Sequence, residues 1–301
     1  LFLEEAFAGG LCMSDKAIVT CALNGVLTDP ELHRVPVTPA QMAEAAFEAW
    51  QAGASVVHCH FRQQAPGKGA LPTWDPDVVA ACCEAIRERV PELIINLSTG
   101  IVGADISGPL ACLERVRPEM AALNAGSLNY LKTRSDGSWA WPPMLFDNPV
   151  AKIQAFLETM RQHQIRPECE CFDTGIVRSL KMFLDHGLLQ LPLQASLVMG
   201  VASGMPAKAA WLPLLLAELP TQTHWQVIAI GRQEVWELHR ACAELGGHVR
   251  TGLEDTFYLP DGQKTFSNGK LIEALVQVVE ASGRHVASPA EARQLMGLAA
   301  R

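Results

Sequence analysis

The sequence predicts one α/β domain, a (β/α)8 TIM barrel, and three observations lead to it. Apolar, β-rich runs fall near 17–24, 55–61, 93–98, 119–124, 168–172, 195–201, 225–231 and 248–254, and a helical pattern follows each. Strict alternation implies a parallel sheet, and eight strand–helix units are the number that closes a barrel. No Pro/Gly/Ser-rich linker and no block of like charge divides the 301 residues. One barrel domain is therefore expected over 16–301, after an N-terminal extension over 1–15. Finally, no Gly-x-Gly-x-x-Gly follows the first strand, which disfavours the doubly wound sheet.

The helices are expected near 39–52, 76–90, 108–116, 149–164, 175–187, 207–218, 233–245 and 268–282, with a last one near 289–300. Thr38-Pro39-Ala40-Gln41 and Ser288-Pro289-Ala290-Glu291 each place a capping hydroxyl before proline, with Gln or Glu at the third helical position. Asp75-Pro76 and Asn148-Pro149 mark two more starts. The stretch 125–147, with Thr133-Arg134-Ser135-Asp136-Gly137-Ser138 inside it, reads as one long loop.

Composition narrows the function. The chain is 49% hydrophobic and 19% charged, which fits a globular protein. A net charge of −8 argues against a nucleic-acid partner, which needs basic patches to displace counterions. Pro213 and Glu218 break the Leu-rich run after Trp211, so no apolar run reaches the ~18 residues of a membrane span. The nine cysteines include no Cys-x-x-Cys, and Cys82-Cys83 lie side by side in a helical pattern. Reduced thiols in a cytoplasmic protein are expected. The first fifteen residues carry Glu4 and Glu5 with no basic start, unlike a secretory signal.

Barrel active sites lie at the C-terminal ends of the strands. The second strand ends in Ser55-Val56-Val57-His58-Cys59-His60-Phe61-Arg62. Alternate strand side chains share a face, so His58 and His60 point together and Cys59 points opposite. Two imidazoles on one face suit zinc or a similar divalent ion. Two core histidines bound to backbone carbonyls would fit the same pair. The third strand ends in Ser98-Thr99-Gly100, which suits close approach by a ligand or a simple turn. Asn124, ending the fourth, can orient a carbonyl or cap a helix.

In the fifth strand Glu168, Glu170 and Phe172 share a face, and a buried carboxylate there needs a cation or a proton. Cys169 and Cys171 then pack against the helices. The loop Gly200-Val201-Ala202-Ser203-Gly204-Met205-Pro206 could cradle a phosphate but lacks a Lys-Ser/Thr ending. Arg232 is a cation at the mouth or a solvated charge. On the eighth strand His248, Arg250, Gly252 and Glu254 share one face, with Glu254 and Asp255 at the mouth. His58, His60 and Glu254 would be two histidines and a glutamate with a position left open, the pattern of a catalytic zinc. Arg250 can pair with Glu170 across the barrel, and Asp255 is a candidate base.

These stretches, together with Pro118-Glu119-Met120-Ala121-Ala122-Leu123-Asn124-Ala125-Gly126, Pro167-Glu168-Cys169-Glu170 and Gly247-His248-Val249-Arg250-Thr251-Gly252-Leu253-Glu254-Asp255, stand in an order that resembles the β-keto acid cleavage enzymes. The founding activity of that family is 3-keto-5-aminohexanoate cleavage. The resemblance runs over roughly 17–300 and implies a zinc-bearing TIM barrel that forms a homo-oligomer, a tetramer. It also implies a reaction in which a β-keto acid and acetyl-CoA, a co-substrate, give acetoacetate and a new acyl-CoA. Carried over by residue, His58, His60 and Glu254 hold the metal. Asp255, Arg250 and Glu170 form the proton-transfer unit, and Ser98, Thr99, Gly100 and Asn124 lie at the substrate. Leu27 and Ala122 depart from the founding pattern, where a glutamate and a threonine stand. With Leu27 in the tail position, a neutral or apolar β-keto acid is expected. A metal-dependent aldolase, a zinc hydrolase and a non-catalytic binding barrel remain alternatives.

Overall fold

The computed structural model describes residues 14–299. Eight strands, β1 (Val19–Ala22), β2 (Val56–Cys59), β3 (Ile94–Leu97), β4 (Met120–Asn124), β5 (Arg166–Cys171), β6 (Leu193–Met199), β7 (Thr223–Ala229) and β8 (His248–Thr251), pair in chain order and close on themselves. Every neighbouring pair is parallel. The expected TIM barrel is the observed one.

Strand parity builds two cores. Val19, Cys21, Val57, Cys59, Cys169, Cys171 and Val249 face outward and join the buried apolar layer under the helices. That layer is covered by α1 (Pro39–Gln51), α2 (Pro76–Arg89), α3 (Ser107–Val116), α4 (Val150–Gln162), α5 (Thr174–Asp185), α6 (Leu212–Glu218), α7 (Val235–Glu244) and α8 (Asn268–Ala281). Cys169 and Cys171 pack there as small apolar groups, and burial pushes both thiols up, Cys169 to about 12. All eight described cysteines are buried and free. The second core plugs the N-terminal end of the barrel. Ile18, Val56, Ile94 and Met120 meet Ala287, Ala292 and Met296, the last two on α9 (Pro289–Met296). Arg293 of α9 closes that end by ion-pairing Glu119 at 2.7 Å.

The middle of the barrel is polar. Glu168 is buried, and it accepts from Asn96 Nδ2, Ser196 Oγ and Gln226 Nε2, one donor from each of β3, β6 and β7. The sequence expectation was a cation or a proton. Three converging donors are a third solution to the same cost.

Both expected capping boxes form, at Thr38–Gln41 and Ser288–Glu291, and Asp75 caps α2. Elsewhere the expectations need correction. Asn148 does not cap α4: Pro149 takes the N-cap position, while the Asn148 amide donates to the Gly126 carbonyl at 3.2 Å. The helix expected over 207–218 starts as a 3₁₀ turn at Ala209–Trp211 and becomes α-helical only at Leu212. Pro213 explains this, because proline lacks the N–H of an interior helical residue and fits only the first turn. The last helix stops at Met296, where Gly297 adopts the left-handed conformation. The stretch 125–147 is not a plain loop, since Leu128–Tyr130 and Met144–Phe146 pair antiparallel within it. Of the expected extension over 1–15, residues 1–13 lie outside the described residues. No helix among the described residues is long and apolar enough to cross a membrane.

Candidate active site

The chain turns sharply after β8. Gly252 has φ +155, and a Cβ there would fall on the carbonyl oxygen of Ala22 in β1. That close approach needs glycine. The amides of Asp255 and Thr256 then fold back on the Gly252 carbonyl at 2.9 and 3.0 Å. This turn lifts Glu254 and Asp255 over the mouth. On the far side of β1, His58 is the third residue of β2 and His60 lies just beyond the strand.

The histidines and Glu254 meet, although Glu254 reaches them from the turn after β8 and not, as the alternation over 248–254 suggested, from the strand itself. Glu254 Oε1 lies 3.2 Å from His60 Nε2, and Glu254 Oε2 lies 3.7 Å from His58 Nε2. One ligand atom from each of the three lies within 4.8 Å of the others. Burial, with help from Arg250, holds the His58 imidazole well below its usual pKa, in the neutral form a metal requires. Burial pushes the Glu254 carboxyl up, but His60, Arg250 and His58 outweigh it and hold the group well below the carboxylate range. Glu254 Oε2 and His58 Nδ1 are shielded from solvent with no hydrogen-bond partner among the described residues. Two imidazoles, one of them held neutral, an ionised carboxylate and unspent acceptor capacity fit a divalent cation. His58 belongs to a second possible group too, with Glu168 and Glu170. Glu168 is already engaged by three donors, which makes the first set the better one.

Arg250 is the electrostatic hub. It is 1% exposed and grips Asp255 with two hydrogen bonds, Nε to Oδ2 at 3.1 Å and Nη2 to Oδ1 at 3.0 Å. The same guanidinium lies 3.1 Å from Glu254 and 3.6 Å from Glu170. One cation thus serves three carboxyls, Asp255 buried and Glu170 and Glu254 half-buried, too few for all to stay in the ordinary range. Burial and the neighbouring Glu254 push Asp255 up to about 7, against the pull of Arg250. Burial and Glu168 push Glu170 up to about 8.

Opposite this cluster, β4 to β6 align Asn124, Glu170 and Ser196 at one level. Ser98 Oγ and Asn124 Nδ2 converge above Gly100, where an added Cβ would stand 3.8 and 3.6 Å from them. Thr99 differs from its neighbours, because its hydroxyl is spent on the Ala122 carbonyl at 2.6 Å. Leu27, on the turn after β1, is 82% exposed. Phe146 was not anticipated. It stands 6.0 Å from the Phe172 ring, with its Cζ 3.9 Å from where a Cβ on Gly100 would lie, on the hairpin hidden in the turn-rich stretch.

Comparison with known proteins agrees with this architecture. Residues 16–298 match the family model for the beta-keto acid cleavage enzyme. A 3-keto-5-aminohexanoate cleavage enzyme from Fusobacterium nucleatum is 33% identical over 289 residues, 95% of this chain and 99% of the relative. A 3-oxoadipate:acetyl-CoA acetyltransferase from Cupriavidus necator is 31% identical over 293 residues, 95% of this chain and 96% of the relative. Among solved structures, the binary complex of ObcA with oxaloacetate superposes with a TM-score of 0.68 at 20% identity, over 88% of this chain and 68% of that one, and shares the fold. By its family match and the share of its length aligned to these relatives, the chain belongs to the beta-keto acid cleavage enzyme family.

Proposed function

We propose that this protein exchanges acyl groups between a β-keto acid and acetyl-CoA, giving acetoacetate and a new acyl-CoA, with zinc held by His58, His60 and Glu254. The observation that supports it best is the juxtaposition of that ligand set with the Arg250–Asp255–Glu170 cluster. A bound divalent ion would lend a fixed positive charge that polarises the keto group and offsets enolate charge. Asp255 takes the C2 proton, and a carboxylate lifted to about 7 is matched to that task near neutral pH. Arg250 holds Asp255 in one orientation through two bonds, so the base meets the substrate without rotamer searching. Ser98 and Asn124 orient the substrate's oxygens from the opposite wall. The C2 carbanion attacks the thioester carbonyl and expels the CoA thiolate. That thiolate adds to the substrate's own ketone carbon, the C2–C3 bond breaks, and the departing carbanion recovers a proton as acetoacetate. Buried free thiols fit a reducing, cytoplasmic setting.

The test is incubation of purified protein with a β-keto acid, with and without acetyl-CoA. Acetoacetate and acyl-CoA are expected only when the thioester is present. Consumption of the keto acid at equal rate without it would establish the hydrolase or aldolase alternative.

Selectivity follows from Leu27. It lies two residues past Gly25, which abuts Glu254, so its turn borders the ligand set, and we place the substrate's distal end beside it. Leucine offers an ammonium tail no partner, whereas an apolar tail gains about 0.8 kcal/mol per buried methylene. The wild type is expected to favour an alkyl β-keto acid over 3-keto-5-aminohexanoate. Leu27→Glu should shift the ratio of kcat/KM toward the amine by up to about fivefold, the equivalent of ~1 kcal/mol for an ion pair at an exposed position. A wild type that already prefers the amine would remove Leu27 from the tail pocket.

A further inference from the structure

The turn after β1 touches both sides of the ligand set. Asn24 is 1% exposed, and its Oδ1 accepts from the His60 backbone N–H at 3.1 Å. Its Nδ2 donates to the His60 carbonyl at 3.0 Å and to the Pro36 carbonyl at 2.9 Å. His60 lies past the last residue of β2. One side chain therefore supplies to this residue the main-chain partners that a neighbouring strand would otherwise provide. The next residue, Gly25, has φ +56 and packs against Glu254, so that an added Cβ would stand 2.8 Å from Glu254 Cγ.

This turn is clamped from below by Arg62, which is fully buried. Its guanidinium donates to the carbonyls of Gly25 at 2.8 and 3.2 Å, Thr28 at 2.9 Å and Gly69 at 3.1 Å. A buried guanidinium costs a great deal to desolvate, and here carbonyl oxygens of the turns after β1 and β2 offset that cost. Such an arrangement specifies one loop geometry, because any other leaves the charge unsatisfied.

We infer that Asn24 and Arg62 are positioning residues for the divalent cation: Asn24 sets the backbone of His60, Arg62 presses Gly25 against Glu254, and together they hold the two ligands at ion-binding separation before the ion arrives. This rests on the metal reading above. It also ties the Leu27 turn to the same frame, since Arg62 binds the carbonyls on either side of it. Partners behind metal ligands commonly change affinity by about 10–100-fold when removed, because they fix ligand orientation.

The experiment measures zinc affinity of the full-length chain by competition with a chromogenic chelator, alongside thermal unfolding of the metal-stripped protein. The variants are Asn24→Ala, Asn24→Ser and Arg62→Lys. Arg293→Lys, which disturbs a buried arginine at the opposite end of the barrel, is the comparison. Asn24→Ala and Arg62→Lys are expected to weaken zinc binding by about 10–100-fold. Arg293→Lys should lower the melting temperature and leave zinc affinity unchanged. Should Asn24→Ala fail to fold, Asn24→Ser and Arg62→Lys decide the matter by the same readout. Wild-type affinity in the positioning variants overturns the inference and leaves the metal reading standing. An equal loss in Arg293→Lys also overturns it, since general loosening then explains the effect. A wild type that takes up no stoichiometric zinc overturns the metal reading and this inference together.

Discussion

Replacing His58 and His60 together by alanine is expected to remove the divalent ion and bring acetoacetate formation down to background, with the barrel still folded. The two imidazoles supply the nitrogen ligands, and burial keeps His58 neutral. Without them Glu254 still has Arg250 at 3.1 Å, and a carboxylate paired with a guanidinium is a poor ligand for an added ion. Both histidines lie at the C-terminal rim, away from the apolar plug at the other end, so the double replacement leaves that plug intact. Elemental analysis of dialysed protein checks the metal, and thioester turnover checks the activity. The single variants separate the two possible ion positions. His60→Ala should lose the ion if His58, His60 and Glu254 hold it, and keep it if His58, Glu168 and Glu170 do. Stoichiometric zinc retained at the same site by the double variant would refute the assignment.

How much of this was legible in the sequence depended on whether the determining contacts were local. The barrel was legible because strand–helix alternation is local and repeats along the whole chain. The shared direction of His58 and His60 was legible from alternation, and barrel closure brings β2 and β8 to either side of β1. The turn at Gly252 that carries Glu254 to them was not, because the strand pattern runs on through 254. The environment of Glu168 was not, because its three donors come from three different strands and no spacing rule links Asn96, Ser196 and Gln226. Asn24 and Arg62 escaped for a similar reason. Asn24-Gly25 reads as an ordinary turn, and an arginine after His-x-His suggests solvent or substrate, whereas here it is buried among carbonyls. The hairpin carrying Phe146 was masked by its turn-rich middle, because three-residue strands offer too little alternation to register. Asn148 failed as a cap because the helix starts one residue later, with Pro149 at the N-cap position.

The other large effect is expected at Asp255. Asp255→Asn should keep metal content near wild type, because none of the three ligand side chains is altered, while kcat falls by about 10²–10⁴-fold, the usual cost of losing a general base. The substitution is nearly isosteric, so the turn built on the Gly252 carbonyl should survive. Its chemistry is not conserved. An amide cannot take the C2 proton, and it can offer the guanidinium only one acceptor where the carboxylate offers two. Arg250 then leans more on Glu254 at 3.1 Å and Glu170 at 3.6 Å, which keeps its charge satisfied and the barrel intact. The decisive measurement isolates proton removal from everything after it. Wild-type protein, given a β-keto acid in deuterated water without acetyl-CoA, should exchange the C2 hydrogens, and Asp255→Asn should not. Exchange at wild-type rate in the variant would exclude Asp255 as the base. Glu170 would then be the residue to test, since it is the other carboxyl beside Arg250 whose pKa burial lifts toward neutrality, to about 8.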